Sequence, residues 1–132
     1  PPPPPRAREH RSIATARELA ELIAAAAPPV HRSRRIHPAT TTFQALRIAV
    51  NDELAALEEF INAALALLSP DGRLAIISFH SSEDRIVKQT LRALVTRHLI
   101  RPITKKPIAP TAAELLANPR SRSARLRIAE KI

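Results

Sequence analysis

The stretch LAIISFHSSED, residues 74–84, decides the fold, because six apolar or small residues run without a break into a histidine, two serines and two acids. A continuous apolar run of this length, preceded by the turn signal SPDG at 69–72, predicts a strand buried on both faces, as in a parallel sheet between helices. Ser81 with Asp84 three residues on makes a capping box. Ile86, Val87, Thr90, Leu91, Leu94 and Val95 then recur at helical spacing, so a helix runs to about residue 97. In open α/β sheets functional groups gather beyond the carboxyl ends of the strands, and His80 and Ser81 occupy that position. The same residues have a plain structural use: serine and acid cap helices, and a lone histidine is usually structural.

Upstream, Phe43, Leu46, Val50, Leu54, Leu57, Ile61, Ala64 and Leu68 step by three and four from Thr42 to Leu68, which predicts one long amphipathic helix or two in line. The acids Asp52, Glu53, Glu58 and Glu59 fall between those positions. Thr15 and Glu18 make another capping box, opening a helix from about 15 to 27 that Pro28 and Pro29 stop. Between them HRSRRIHP, residues 31–38, reads as a basic loop: Arg32, Arg34 and Arg35 are candidate phosphate contacts, with a solvated linker as the equal competitor. PPPPP at 1–5 is a polyproline II stretch and reads as a leader, a linker or a cut edge.

Downstream, PITKKPI at 102–108 is at best an outer strand between prolines, and Thr111 with Glu114 caps a brief helix ending near Ala117. ARLRIAEKI at 124–132 alternates Ala124, Leu126 and Ile128 with Arg125, Arg127 and Ala129, as a strand with one exposed face would. The order is helix, helix, strand, helix, strand, helix, strand: an α/β protein with the first strands missing.

Composition bounds the chemistry. The 132 residues suit one domain or part of one, and 21 Lys+Arg against 12 Asp+Glu give a net charge of +9, which favours polyanionic partners. Lys105, Lys106, Arg120, Arg122, Arg125 and Arg127 are further candidate phosphate contacts, set against a solvated surface strand. The chain has no cysteine, which removes disulfides, thiolate zinc and thiol nucleophiles. His80, Glu83 and Asp84 are too closely spaced for a recognised ligand set, so no metal is expected. A single glycine, Gly72, cannot build the glycine-rich loop on which mononucleotide-type folds seat a cofactor. No Gly-x-Ser-x-Gly elbow is present. Phe43, Phe60 and Phe79 fall mostly on apolar positions, favouring core packing over base stacking.

Taken together, IHPATTTFQALRIAVNDEL, SPDGRLAIISFHSSEDRIVK, ITKKPI and NPRSRSARLRIAEKI closely resemble the bacterial small-subunit ribosomal RNA cytosine-N4 methyltransferases, the RsmH or MraW family. The resemblance implies the C-terminal portion of a class I S-adenosylmethionine-dependent methyltransferase, a Rossmann-like fold with its first strands absent here. Residues 1–14 would be a proline-rich basic leader, 15–37 the tail of a helical insertion, and 38–132 the C-terminal part of the methyltransferase domain. LAIISF would be the fifth sheet strand and the last two strands an antiparallel pair at the sheet edge. The implied activity is methylation of the exocyclic amine of a decoding-centre cytidine in 16S rRNA, with S-adenosyl-L-methionine as cofactor and the small ribosomal subunit as partner, in the cytoplasm and without a membrane.

The family segments that hold the cofactor would lie upstream of Pro1, so no cofactor-binding residue is expected in this chain, which is expected to be inactive alone. The residues that match are His37, Pro38, Thr40, Thr42, Phe43, Gln44, Arg47 and Asn51, then Ser78, His80, Ser81, Glu83, Asp84 and Arg85. Their polar groups are candidates for contacting the target nucleotide or bracing the active-site edge. An exocyclic amine needs its lone pair oriented more than it needs a strong base, so positioning is the expected role. The chain departs from the family at Thr41 for arginine, Ser82 for leucine and Asp71 for glycine, and in a shortened segment between Lys88 and Pro102. A non-catalytic basic RNA-binding module is the alternative. A piece that does not fold stably alone, its sheet edges exposed, is a third possibility.

Overall fold

The computed structural model describes residues 12–28 and 37–132. The polyproline stretch and Arg32, Arg34 and Arg35 lie outside the described residues. The chain divides into two compact units, Pro1–Asn51 and Asp52–Ile132.

The first unit contains α1, Ala16–Ala26, and α2, Ala39–Asn51. Thr15 caps α1 as its spacing predicts: its hydroxyl accepts the Glu18 N–H at 3.1 Å, and the Glu18 carboxylate accepts the Ala14 N–H at 3.0 Å. Leu19, Leu22, Ile23 and Ala26 form the half-buried stripe of this helix. The chain enters α2 through His37, whose Nδ1 accepts the Ala39 N–H at 3.2 Å, and Ala39 itself is buried.

The second unit begins at Asp52, whose left-handed backbone, φ 50 and ψ 38, ends the helical run from residue 39 and precedes α3, Glu53–Leu67. Of the two helical readings, the structure therefore shows two separate helices; aspartate is among the few non-glycine residues that visit this conformation singly, because its short polar side chain can interact with the local backbone. After the SPDG turn come β1, Arg73–Ser78; α4, Ser81–Thr96; β2, Ile100–Pro102; α5, Ala112–Ala117; a 3-10 turn, Pro119–Ser123; and β3, Arg125–Lys131. The strands form one antiparallel sheet in the order β1-β3-β2, with Ile76 opposite Arg127, Ser78 opposite Arg125 and Arg101 opposite Glu130.

The expected doubly buried parallel strand is corrected by this sheet. β1 alternates, with Leu74, Ile76 and Ser78 turned inward while Ala75 and Ile77 are exposed; Ile77 keeps 57% of its surface and Phe79, just past the strand, 54%. The inward row packs with Ile61 and Leu65 of α3, Val87 and Leu94 of α4, Ile100 and Ala129. Ile61 and Val87 are fully enclosed, each contributing about 1.5–3 kcal/mol over an exposed position. A continuous apolar run encodes two apolar faces, and among the described residues only one of them has its cover.

Two smaller corrections follow from pairing. The outer strand expected at 102–108 is β2 at Ile100–Pro102, joined later by an isolated bridge from Ile108 to Leu126. Between them the Ile103 and Thr104 N–H groups both converge on the Ile128 carbonyl, so the chain turns instead of extending. At the other end of β3, the Lys131 ammonium donates to the Leu65 and Leu68 carbonyls, at 3.0 and 2.6 Å, satisfying acceptors that the end of α3 leaves free. Helix α5 is capped by Thr111 as expected, its hydroxyl accepting the Glu114 N–H at 3.2 Å.

Gly72 serves the turn. A Cβ there would come within 2.7 Å of the Ser69 carbonyl oxygen, so the chain's one glycine is spent on close approach of its own backbone. Its neighbour Asp71 carries the positive φ, 64°, a conformation glycine adopts at less cost.

Candidate functional site

The passage from β1 into α4 gathers Ser78, His80, Ser81, Glu83, Asp84 and Arg85 at one strand end. Its cap differs from the expected one. His80, not Ser81, is the N-cap: its Nδ1 accepts the Glu83 N–H at 3.2 Å, while the Glu83 Oε2 accepts the Phe79 and His80 N–H groups at 2.8 and 3.2 Å. The box lies one residue earlier than expected, on His80 and Glu83, and Asp84 is engaged elsewhere. Arg127 donates to both Asp84 oxygens, at 2.8 and 3.0 Å, across from β3.

This fork sets the local electrostatics. Hydrogen bonding from Arg127 holds the Asp84 carboxyl below its ordinary 3.8, desolvation opposes the shift, and the charges of Arg127, Arg125 and Lys88 add to the lowering. With both side chains largely buried, at 12% and 17% exposure, the fork ties α4 to β3.

With Nδ1 accepting, the neutral His80 ring carries its proton on Nε2. Nε2 lies 2.9 Å from the Glu83 Oε1, yet the direction is poor and this buried nitrogen has no aligned hydrogen-bond partner. The contact is therefore one of electrostatic proximity, not a hydrogen bond. Ser78 is buried, and its hydroxyl donates to the Arg125 carbonyl at the long distance of 3.5 Å. Ser81 and Arg85 are exposed.

The other predicted polar residues lie in the first unit. Thr40, Gln44, Arg47 and Asn51 recur at intervals of four, three and four along α2, which puts them on one stripe of the helix, whereas Thr42 falls on the opposite side. Of the predicted phosphate contacts within the described residues, Lys105 and Lys106 are exposed in the β2–α5 loop. Arg120 and Arg122 are exposed on the 3-10 turn, and Arg125 is exposed at the start of β3.

Sequence reasoning missed two features. Glu130, among the more buried acids at 7% side-chain exposure, is held on the outer sheet face by Arg73, at 3.1 Å, and by Arg101. Hydrogen bonds from Arg101 and then Arg73 lower its carboxyl from the ordinary 4.5. Only cross-strand register reveals this cluster. The second miss, a cation-lined groove along α4, had a signal in the spacing of Lys88 and Arg92.

The hollow beside the strand end, lined by Leu57, Phe60, Ile76, Ile77, Ser78 and Glu83 among others, offers no glycine loop, and the Glu83 carboxylate there is already committed to backbone N–H groups. Groups of histidine and acid fit to hold a metal are also absent among the described residues, and no described helix is long and apolar enough to cross a membrane.

A small antiparallel sheet with helices on one face, its strand end leading into a histidine-capped helix, makes this a mixed α/β protein. Residues 5–132 match the MraW methylase family, and the chain belongs to it. It is 59% identical over 123 residues to the ribosomal RNA small subunit methyltransferase H of a Nostoc species, covering 93% of this chain and 40% of that protein. The identically named protein of Synechococcus elongatus is 55% identical, with 94% and 41% covered, and that of a Geobacter species 49%, with 96% and 46% covered. The chain thus spans about two fifths of the length of the first of these relatives.

Proposed function

We propose that this chain is the C-terminal part of an S-adenosylmethionine-dependent methyltransferase acting in the cytoplasm on a decoding-centre cytidine of 16S rRNA, at the exocyclic N4, and that it does not methylate by itself. The observation that carries this reading is the 59% identity, over nearly the whole chain, to a protein named for methylating small-subunit ribosomal RNA. On this reading 15–37 end a helical insertion and 38–132 close a Rossmann-like sheet. The free edge of β1 and the exposed Ile77 and Phe79 await the upstream strands. The dependence on those strands rests on the single glycine, spent in the SPDG turn.

The strand-end residues then act by orientation. His80 and Glu83 hold the entrance of α4, and the buried Nε2 of His80, without an aligned partner among the described residues, is the donor that an acceptor from outside this chain would have to reach. A chimera in which this chain replaces the matching C-terminal part of the Nostoc relative tests the assignment. Transfer of a labelled methyl group to cytidine in 30S subunits is expected from the chimera and not from the 132-residue chain alone. A folded chimera without activity overturns the family assignment of function, and activity of the chain alone overturns its dependence. The net charge of +9 favours a second reading, a non-catalytic module that binds rRNA. A chimera that binds 30S subunits without transfer selects it.

A further inference from the structure

A second surface of the C-terminal unit carries charge that the strand end does not use. Along α4, Lys88 and Arg92 stand one turn apart on the side that faces the β2–α5 loop, where Lys105 approaches, and together they border a groove of about 450 Å³. Its floor is aliphatic, from Leu91, Val95 and Pro102, and Arg127 closes one wall. No carboxylate lines it. Asp84 already pairs with Arg127 and also feels the charge of Lys88 one turn along α4, whereas none of the exposed Lys88, Arg92 and Lys105 makes a direct ion pair among the described residues. Thr104 accepts the Ile128 N–H at 3.1 Å, which leaves its hydroxyl proton to donate.

Lys88, Arg92, Lys105 and Arg127 line one concavity and Asp84 offsets one of these charges, so a positive excess remains that a polyanion relieves. Lys88 and Arg92 are separated by a rise of about 6 Å along the helix, which suits charges repeated along a strand better than one isolated ion. The aliphatic residues share the groove with the cations, where they can meet sugar and base faces.

The geometry points to this groove as a binding site for the phosphodiester backbone of single-stranded RNA, with Lys88, Arg92 and Lys105 each neutralising a phosphate and Thr104 donating its hydroxyl. The inference rests on the reading that the protein acts on small-subunit rRNA. It adds a place where the RNA is held away from the strand end.

The test measures binding of a fluorescent single-stranded 16S rRNA oligonucleotide to the 132-residue chain between about 50 and 200 mM salt. The groove variant Lys88→Gln/Arg92→Gln/Lys105→Gln is compared with a charge-matched control, Lys106→Gln/Arg120→Gln/Arg122→Gln. The groove variant is expected to bind about tenfold or more weaker at ~0.1 M salt, with the logarithmic salt slope shallower by about 2. The control changes clearly less, and Lys88→Arg/Lys105→Arg retains binding. Thermal unfolding verifies that the variants stay folded; Lys105→Gln alone, a loop substitution, replaces any that do not.

Equal losses in groove and control variants, or none in the groove variant, overturn the site while leaving the rRNA reading intact. No RNA binding by the parent chain overturns the site, while methyl transfer by the chimera decides the rRNA reading separately. Groove-dependent binding to phosphatidylserine vesicles, with none to the oligonucleotide, assigns the cations to a membrane and overturns the RNA site.

Discussion

The two faces of the sheet are built from similar residues and live in different surroundings. On the inner face Ile76 and Ala129 meet Ile61, Val87 and Leu94 from two helices, and the Arg127–Asp84 fork is sealed at its margin. On the outer face Ile77 and Phe79 stand exposed, and the Arg73–Glu130–Arg101 cluster has guanidinium side chains that are 70% and 66% exposed. Apolar content therefore does not tell which face is core; cover does. The outer face has the composition of a surface meant to be covered.

The largest expected effect separates the faces directly. Ile61→Ala should destabilise the chain by about 2–5 kcal/mol in chemical denaturation, because it empties a site with no exposure, whereas Ile77→Ala should cost under about 1 kcal/mol. Equal costs would show that the outer face is covered in solution.

The two ion clusters give the next contrast. Asp84→Ala leaves the Arg127 guanidinium unpaired with little solvent and should cost about 1–3 kcal/mol. Glu130→Gln should lower the melting midpoint less, since its arginines are solvated. The folded-state values of Asp84 and Glu130 both lie below the unfolded ones, so their contribution is complete above about pH 4–5 and is lost as pH falls through the folded values. Asp84→Asn should flatten the acid side of the stability profile; an unchanged slope there would remove the fork from the account.

Smaller still is the cap. His80→Ala should cost about 1 kcal/mol, and His80→Asn, which keeps a capping oxygen, should recover most of it. If His80→Asn restores stability in the chimera but not methyl transfer, the imidazole has a task beyond capping. Last, Asp71→Gly relieves a positive φ at the expense of a 3.9 Å exposed contact to Arg101, and should stabilise by a few tenths of a kcal/mol.

Local signals were legible because they are read within one turn of chain. The caps at Thr15 and Thr111, the apolar steps of the helices and the strands at 73–78 and 125–131 follow from spacing. What needed pairing was not legible. The run 74–79 looks the same whether one or both of its faces are covered, and the engagement of Asp84 by Arg127, 43 positions away, is not written in the spacing of SSED. For the site, the polar residues of α2 and of the strand end came from family resemblance. Position adds that four of the former share a stripe and that Glu83 and Asp84 are already engaged.

The β1-β3-β2 order has a consequence in symmetry. β2 has only three residues and ends at Pro102, which has no N–H to offer, so the sheet is blunted on that side and can lengthen only past β1. Two copies meeting there would use up both available edges at once and stop as a closed two-fold pair.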